Sequence, residues 1–309
     1  MRPLHIGIAG TGKIARERHI PAIRQERAFE LVACANCCAP VEEVPNYGTL
    51  DEMLAACREL DAVAICSPPQ THYDVARAAL EHRKHVLMEK PPCPTVLQLD
   101  HLHELAGHAG RTLFQTWHLR HLPAVDAFQR WLMSRTIRRG RIVWKEDVRR
   151  WHPGQAWLWQ TDGFGVFDAG INALSILTKV IPDPIFVRSA DLFIPSNCQT
   201  PIAASMKLET GEAEISAEFD FRHKAETVWD IELATDDGTA RLMASENRLI
   251  LDDGEQPLDT TVDEYACLYR HFDQLIGERR SDVDERPLKL VADIFLVGRQ
   301  HAVEPFNIG

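Results

Sequence analysis

Leu4-His5-Ile6-Gly7-Ile8-Ala9-Gly10-Thr11-Gly12-Lys13-Ile14-Ala15 is the stretch on which the fold turns. Its first part, Leu4–Gly10, is a short apolar run that reads as a buried strand. No linker separates that run from Gly10-x-Gly12-x-x-Ala15. In this spacing Gly10 permits a tight turn, Gly12 lets the backbone approach a pyrophosphate, and Ala15 allows a helix to pack close to the strand. The helix that starts over Lys13 and Ile14 points its amide-rich N-terminus at the negative charge. A glycine loop alone is a weak signal; one placed between a strand and a helix predicts a dinucleotide site.

Outward from that loop, apolar runs and helical stretches alternate. Strands are predicted at Phe29–Ala35, Asp61–Ser67, Lys84–Lys90 and Arg111–Thr116, and helices at Lys13–Arg24, Thr71–His82 and Thr95–Ala106. The alternation implies βαβ units with right-handed crossovers, hence a doubly wound parallel sheet of Rossmann type over residues 1–120. After about His121 the texture changes. A helix at Ala124–Ser134, a strand at Arg141–Val148, an aromatic loop and a helix at Asp168–Val180 precede a series of strand-like runs from Ile185 to Leu251. Asp237-Gly238 and Asp253-Gly254 punctuate those runs as hairpin turns do. Helices at Val262–Gly277 and Arg286–Arg299 end the chain. Residues 121–309 are therefore expected to form an α+β domain with an open, mainly antiparallel sheet, one face of which would join a second copy in a homo-oligomer.

Composition narrows the function. The 309 residues carry 34 Lys+Arg against 45 Asp+Glu, a net charge of −11, which argues against nucleic acid or an anionic membrane as a partner. No run approaches the roughly 18 apolar residues of a spanning helix. The eight cysteines are scattered through a mid-sized chain, so a reducing cytoplasm is expected. Cys34-x-x-Cys37-Cys38 lacks a second pair at ligand spacing, and no metal is expected.

The second strand ends Ala35-Asn36-Cys37-Cys38, with neither the acid that binds an NAD ribose nor an arginine for a 2′-phosphate. NAD(P) is expected, NAD ahead of NADP because no positive charge is present; Asn36 reads as a ribose ligand or a plain turn residue. Glu89-Lys90-Pro91-Pro92 ends a strand at the carboxyl edge, where open α/β sheets bind ligands, so Lys90 reads as a surface strand-end lysine or as a group placed for proton transfer. Asp168 and Asn172, four apart, share one helical face; Asp168 also reads as a helix cap. Trp151, Trp157, Trp159, His118, Glu146 and His152 suggest a polar-aromatic wall for a sugar. Trp157 and Trp159 read equally as core, and spacing alone makes Trp229 core.

Gly10-x-Gly12-x-Ile14-Ala15, Ser67-Pro68-Pro69 with His72, and Glu89-Lys90-Pro91 together resemble the glucose–fructose oxidoreductase/inositol dehydrogenase/rhizopine catabolism (Gfo/Idh/MocA) family of NAD(P)-dependent oxidoreductases. The blocks Trp144–Gln155 and Gly165–Ser175 are similar to the family's bacterial aldose 1-dehydrogenases, which act on L-arabinose and D-galactose. The resemblance implies cofactor contacts from Gly10, Gly12, Lys13, Ile14, Asn36, Cys37, Ser67, Pro68, Pro69, His72, Glu89, Lys90 and His118. It implies substrate contacts from Lys90, His118, Glu146, Trp151, His152, Asp168, Asn172 and Trp229. Lys90, Asp168 and Asn172 carry over as catalytic, with Lys90 and Asp168 expected to converge on the reacting carbon. The family usually shows Asp-x-x-x-His where this chain has Asp168 and Asn172, and asparagine cannot act as a base. The implied reaction is oxidation of a pyranose at C1 to the lactone, with D-fucose a further substrate. A polyol dehydrogenase acting on an inositol and a non-catalytic cofactor-sensing regulator are the alternatives.

Overall fold

The computed structural model describes residues 2–36, 40–259 and 261–307. The chain divides into two units, Met1–His118 with Asp263–Glu285, and Leu119–Val262 with Arg286–Gly309.

In the first unit β1 (Leu4–Ala9), β2 (Phe29–Ala35), β3 (Asn46–Tyr47), β4 (Ala62–Ile65), β5 (His85–Met88) and β6 (Leu113–Gln115) form a parallel sheet. Its order, β3-β2-β1-β4-β5-β6, is that of a doubly wound fold whose switch point lies between β1 and β4. β4 and β6 are buried along their whole length, as strands covered on both faces must be. The helix after the glycine loop begins as a π-helical turn, Ala15–His19, and becomes α-helical over Ile20–Gln25. Pro21 has no N–H for the regular ladder, and the change of winding falls there. Strand β3 and the helix Leu50–Ala56 escaped the pattern. The first is two residues long; the second is announced by a capping box, Thr49 with Glu52, rather than by periodicity.

One segment lies elsewhere than sequence order suggests. Residues 263–285 fold in the first unit, not with the rest of 121–309. The reason is an apolar stripe on the helix Glu264–Glu278: Tyr265, Leu268, Tyr269, Phe272 and Leu275 join Ile6, Ile8, Ile23 and Phe29 in one core. Phe272 stacks on Phe29 at 5.7 Å, nearly parallel.

In the second unit β7 (Ile137–Lys145), β8 (Phe186–Pro195), β9 (Ala203–Thr210), β10 (Ala213–Asp220), β11 (Val228–Thr235), β12 (Gly238–Met243), β13 (Arg248–Leu251), β14 (Gly254–Glu255) and β15 (Arg299–Val303) form a mixed sheet. The order is β14-β13-β12-β11-β7-β10-β9-β8-β15, and the described pairs are antiparallel except β7–β10 and β8–β15. β9 and β15 were not legible: small alanines open the first, and the polar Arg-Gln-His-Ala-Val of the second shows no alternation. β10 alternates cleanly, Ile215, Ala217 and Phe219 inward, Glu214 and Glu218 outward. The outward charges are paired within the chain, Lys145 with Glu218 at 2.7 Å and Lys207 with Glu214 at 3.2 Å.

Against the inner face lies the helix Phe167–Val180, buried along nearly its whole length. It approaches so closely that a Cβ on Gly170 would stand 2.4 Å from the Phe219 ring. Gly170→Ala is therefore expected to destabilise by about 1–3 kcal/mol despite the helix preference for alanine. Chemical denaturation would show a lowered midpoint with an unchanged slope.

Candidate active site

The glycine loop is built as its spacing requires. The Gly10 N–H donates to the Ala35 carbonyl at 2.9 Å, and Gly10 sits at φ +91°. A side chain there would meet the Ser67 backbone nitrogen at 2.6 Å. A Cβ on Gly12, by contrast, meets nothing within 4 Å, which leaves the backbone open to a pyrophosphate. Lys13 and Ile14 are exposed beside it. Arg16 donates to the carbonyls of Thr11 at 3.0 Å and Pro40 at 3.2 Å, tying the loop to the chain beyond β2. Asn36 ends β2 exposed, in the left-handed region at φ 52°, which asparagine tolerates. Cys37 lies outside the described residues.

Three further carboxyl-edge segments follow. After β4, Ser67 bonds Thr71 through its hydroxyl at 2.7 Å, and Pro68 and Pro69 open the next helix. Buried His72 lies between two backbone carbonyls, Ser67 at 2.6 Å and Pro92 at 2.9 Å, and so clamps this loop to the one that follows Lys90. Burial lowers its pKa, against the pull of those carbonyls. After β5 comes Glu89, 3% exposed. Its Oε1 accepts from Tyr265 at 3.1 Å and lies 3.0 Å from His19 Nε2; its Oε2 accepts the Lys90 N–H at 2.8 Å. His19 Nδ1 is in turn 2.8 Å from the Tyr269 hydroxyl. Burial pushes the Glu89 carboxyl up, but the His19 hydrogen bond and the charges of His19, His118 and Lys90 outweigh it and hold the pKa at about 2.

After β6, His118 stacks on Tyr265 with centroids 5.4 Å apart. Burial lowers its pKa to about 4, so the ring is neutral at pH 7. His118 Nδ1 and Thr116 Oγ1 are buried without a hydrogen-bond partner. Open space over Gly12 and orphaned polar atoms on the same sheet edge fit a dinucleotide.

The second unit gathers a separate cluster. Glu146 follows β7 and is 1% exposed. Its Oε2 accepts the Trp229 indole N–H at 3.0 Å, and its Oε1 has no hydrogen-bond donor. Trp229 stacks on Trp144 at 5.1 Å and 3°, so it belongs to this cluster as well as to the sheet. His152 Nε2 lies 3.5 Å from Glu146 Oε1 and 3.7 Å from Asp168 Oδ2. Asp168 sits in the first turn of its helix; the cap is Val166, so the capping role does not hold. One turn on, buried Asn172 presents an unpartnered Oδ1, and the buried Trp144 Nε1 is unpartnered too.

The aromatic wall does not form as one piece. Trp151 is exposed and donates to Thr227 at 3.3 Å, while Trp159 is buried against Phe221 and Phe306. His118 belongs to the first unit, with Lys90. His19, Tyr265, Tyr269 and Thr116 were missed altogether. The signal that would have found the first three is Glu89 itself, an acid ending an apolar strand that needs buried donors.

Two outcomes follow from this geometry. Gly12→Ala should fold normally and lose cofactor affinity in a titration, whereas Gly10→Ala should also lower the thermal midpoint. The Glu89 pKa of about 2 lies below its ordinary 4.5. Its ionic contribution is therefore complete above pH 4.5 and lost as pH falls towards 2, at most on the order of 3 kcal/mol. The stability gap between the parent and Glu89→Gln should shrink over that window in denaturant titrations.

Residues 4–116 match the family described as "Oxidoreductase family, NAD-binding Rossmann fold". The chain is 46% identical over 309 residues to the galactose 1-dehydrogenase of Pseudomonas fluorescens, covering 99% of each chain. The crystal structure of D-galactose-1-dehydrogenase from Rhizobium etli superposes with a TM-score of 0.93 at 43% identity, again over 99% of each. A 3-ketoreductase from Actinomadura kijaniata, crystallised with NADP and TDP-benzene, shares the fold at TM-score 0.82 and 18% identity, over 99% of this chain and 100% of that one. With the doubly wound sheet and its glycine loop in place, these likenesses establish that the chain belongs to the Gfo/Idh/MocA family of oxidoreductases.

Proposed function

We propose that the chain is an NAD(P)-dependent aldose 1-dehydrogenase, oxidising C1 of a pyranose to the lactone, with D-galactose and L-arabinose as substrates and D-fucose accepted. The observation that carries this reading is the set of buried, unsatisfied polar atoms in the second unit: Glu146 Oε1, Asn172 Oδ1 and Trp144 Nε1. Two acceptors and a donor left without partners are costly unless a hydroxylated ligand completes them. The 46% identity, over nearly the full length, to a protein named galactose 1-dehydrogenase supports the same class. D-Galactose and L-arabinose share their configuration from C2 to C4, so one set of acceptors serves both.

Bound over the glycine loop, a nicotinamide supplies the hydride acceptor. NAD is favoured because β2 ends at Ala35 and Asn36 follows it, neither offering a basic side chain for a 2′-phosphate. Asp168 takes the anomeric proton, as a carboxylate is ready to do, and Lys90 stabilises negative charge on the anomeric oxygen. Asn172, which has no proton to exchange, orients a hydroxyl through Oδ1. No disulfide is formed among the described cysteines, which suits the reducing cytoplasm we propose.

Absorbance of the reduced nicotinamide tests the reading. D-Galactose, L-arabinose and D-fucose should each support reduction far better than myo-inositol, and NAD better than NADP. Lys90→Ala should lower kcat by about 10²–10⁴-fold while the protein still binds cofactor. No signal with any aldose rejects the reading; tight cofactor binding without turnover favours a sensor.

A further inference from the structure

We infer that His152 is the proton port of the second unit, the imidazole that carries to water the proton received by the buried carboxylates. The inference rests on the reading above, because oxidation of a hydroxyl leaves one proton behind for each hydride removed. Asp168 and Glu146 are poorly placed to release that proton themselves. Their side chains are 4% and 2% exposed, whereas His152 is 17% exposed.

Position supports the role. His152 follows the short helix Val148–Trp151, with its N–H donating to the Val148 carbonyl at 2.7 Å. Nε2 faces inward, 3.5 Å from Glu146 Oε1 and 3.7 Å from Asp168 Oδ2. Nδ1 lies 3.1 Å from Oε1 of half-buried Gln155. A ring with one nitrogen on buried acids and the other on a half-buried amide can take a proton on one side and lose it from the other.

Asn172 does not titrate, and the Trp229 N–H is committed to Glu146 Oε2. The Phe221 ring stands 5.8 Å away, tilted against the imidazole. Of the neighbouring cations, Arg149 pairs with Asp147 at 3.0 Å and Arg150 lies over the Trp151 ring. The two Nε2 distances are longer than hydrogen bonds, and catalytic contacts of this kind commonly tighten, or close through one water, when substrate binds. The proton then passes from the anomeric oxygen to Asp168 Oδ2 and on to His152 Nε2, while the proton on Nδ1 leaves for water. Only O–H and N–H bonds change.

Stopped-flow oxidation of D-galactose with NAD in weak buffer tests this, with reduced-nicotinamide absorbance reporting hydride loss and an indicator dye reporting the proton. In the parent the two signals should keep pace. In His152→Gln and His152→Asn the proton should lag the first-turnover hydride, and steady-state turnover should fall by about 10²-fold. Sugar KM should stay nearly constant. Added imidazole should restore turnover about tenfold in the His152 variants and not in Asp168→Asn. Variants in which the signals still keep pace, or in which sugar KM rises and imidazole does nothing, make His152 a sugar ligand and overturn the inference alone. A parent that oxidises no aldose overturns both the inference and the function on which it rests.

Discussion

A carboxylate taken out of water must be met by donors, and in the first unit that demand falls on Glu89. It is satisfied by two groups distant in sequence, the His19 ring and the Tyr265 hydroxyl, and by the backbone N–H of the adjoining Lys90. Breaking such a set strands a buried charge, a large cost for a marginally stable fold. The helix that the apolar stripe returns to the dinucleotide unit thereby also brings the Tyr265 donor to Glu89 and sets the Tyr269 hydroxyl against the other nitrogen of the His19 ring. The arrangement also fixes the Lys90 backbone, because the side chain of the preceding residue holds its amide. Arg18 extends the same system, lying over the Tyr265 ring and pairing with Glu264.

The second unit places its polar groups by a different device. Period-two alternation on β7 and β10 turns apolar residues towards the helix Phe167–Val180, and Gly170 removes the one side chain that would hold the layers apart. A helix packed that closely delivers Asp168 at its first turn, where the helix dipole favours a negative charge. Asn172 follows one turn later. In the same packing Asn172 Oδ1 and Trp144 Nε1 have no hydrogen-bond partner among the described residues. On the proposed reading, selection for hydroxyls would arise from sheet packing as much as from the choice of polar residues.

What was legible in the sequence had local causes. The strand–glycine–helix passage at Leu4–Ala15 announces itself because each glycine answers a local steric need, and β10 because alternation is a local pattern. What was hidden depends on distant pairing. Nothing near Glu264 shows that its helix covers β1 and β2, since an amphipathic stripe names no partner. The exposed edge strand β15 has no reason to alternate. Trp229 reads as a sheet residue until Glu146 is seen to accept its N–H. Trp159 reads equally as sugar wall or core until Phe221 and Phe306 are seen around it.

The placement of asparagine at 172 and histidine at 152 has a physical logic. A titrating ring at 172 would sit on a helix buried almost throughout, where a proton taken up has little contact with solvent. Asparagine there keeps a hydrogen-bonding oxygen whose charge does not change with pH, so its orientation of a hydroxyl does not depend on protonation. The turn at His152–Gln155 is anchored by the Val148 carbonyl and released by Gly154 at φ 71°, so it holds an imidazole against both carboxylates while leaving one edge near water. On the proposed reading, orientation and proton movement then fall to different residues on different elements.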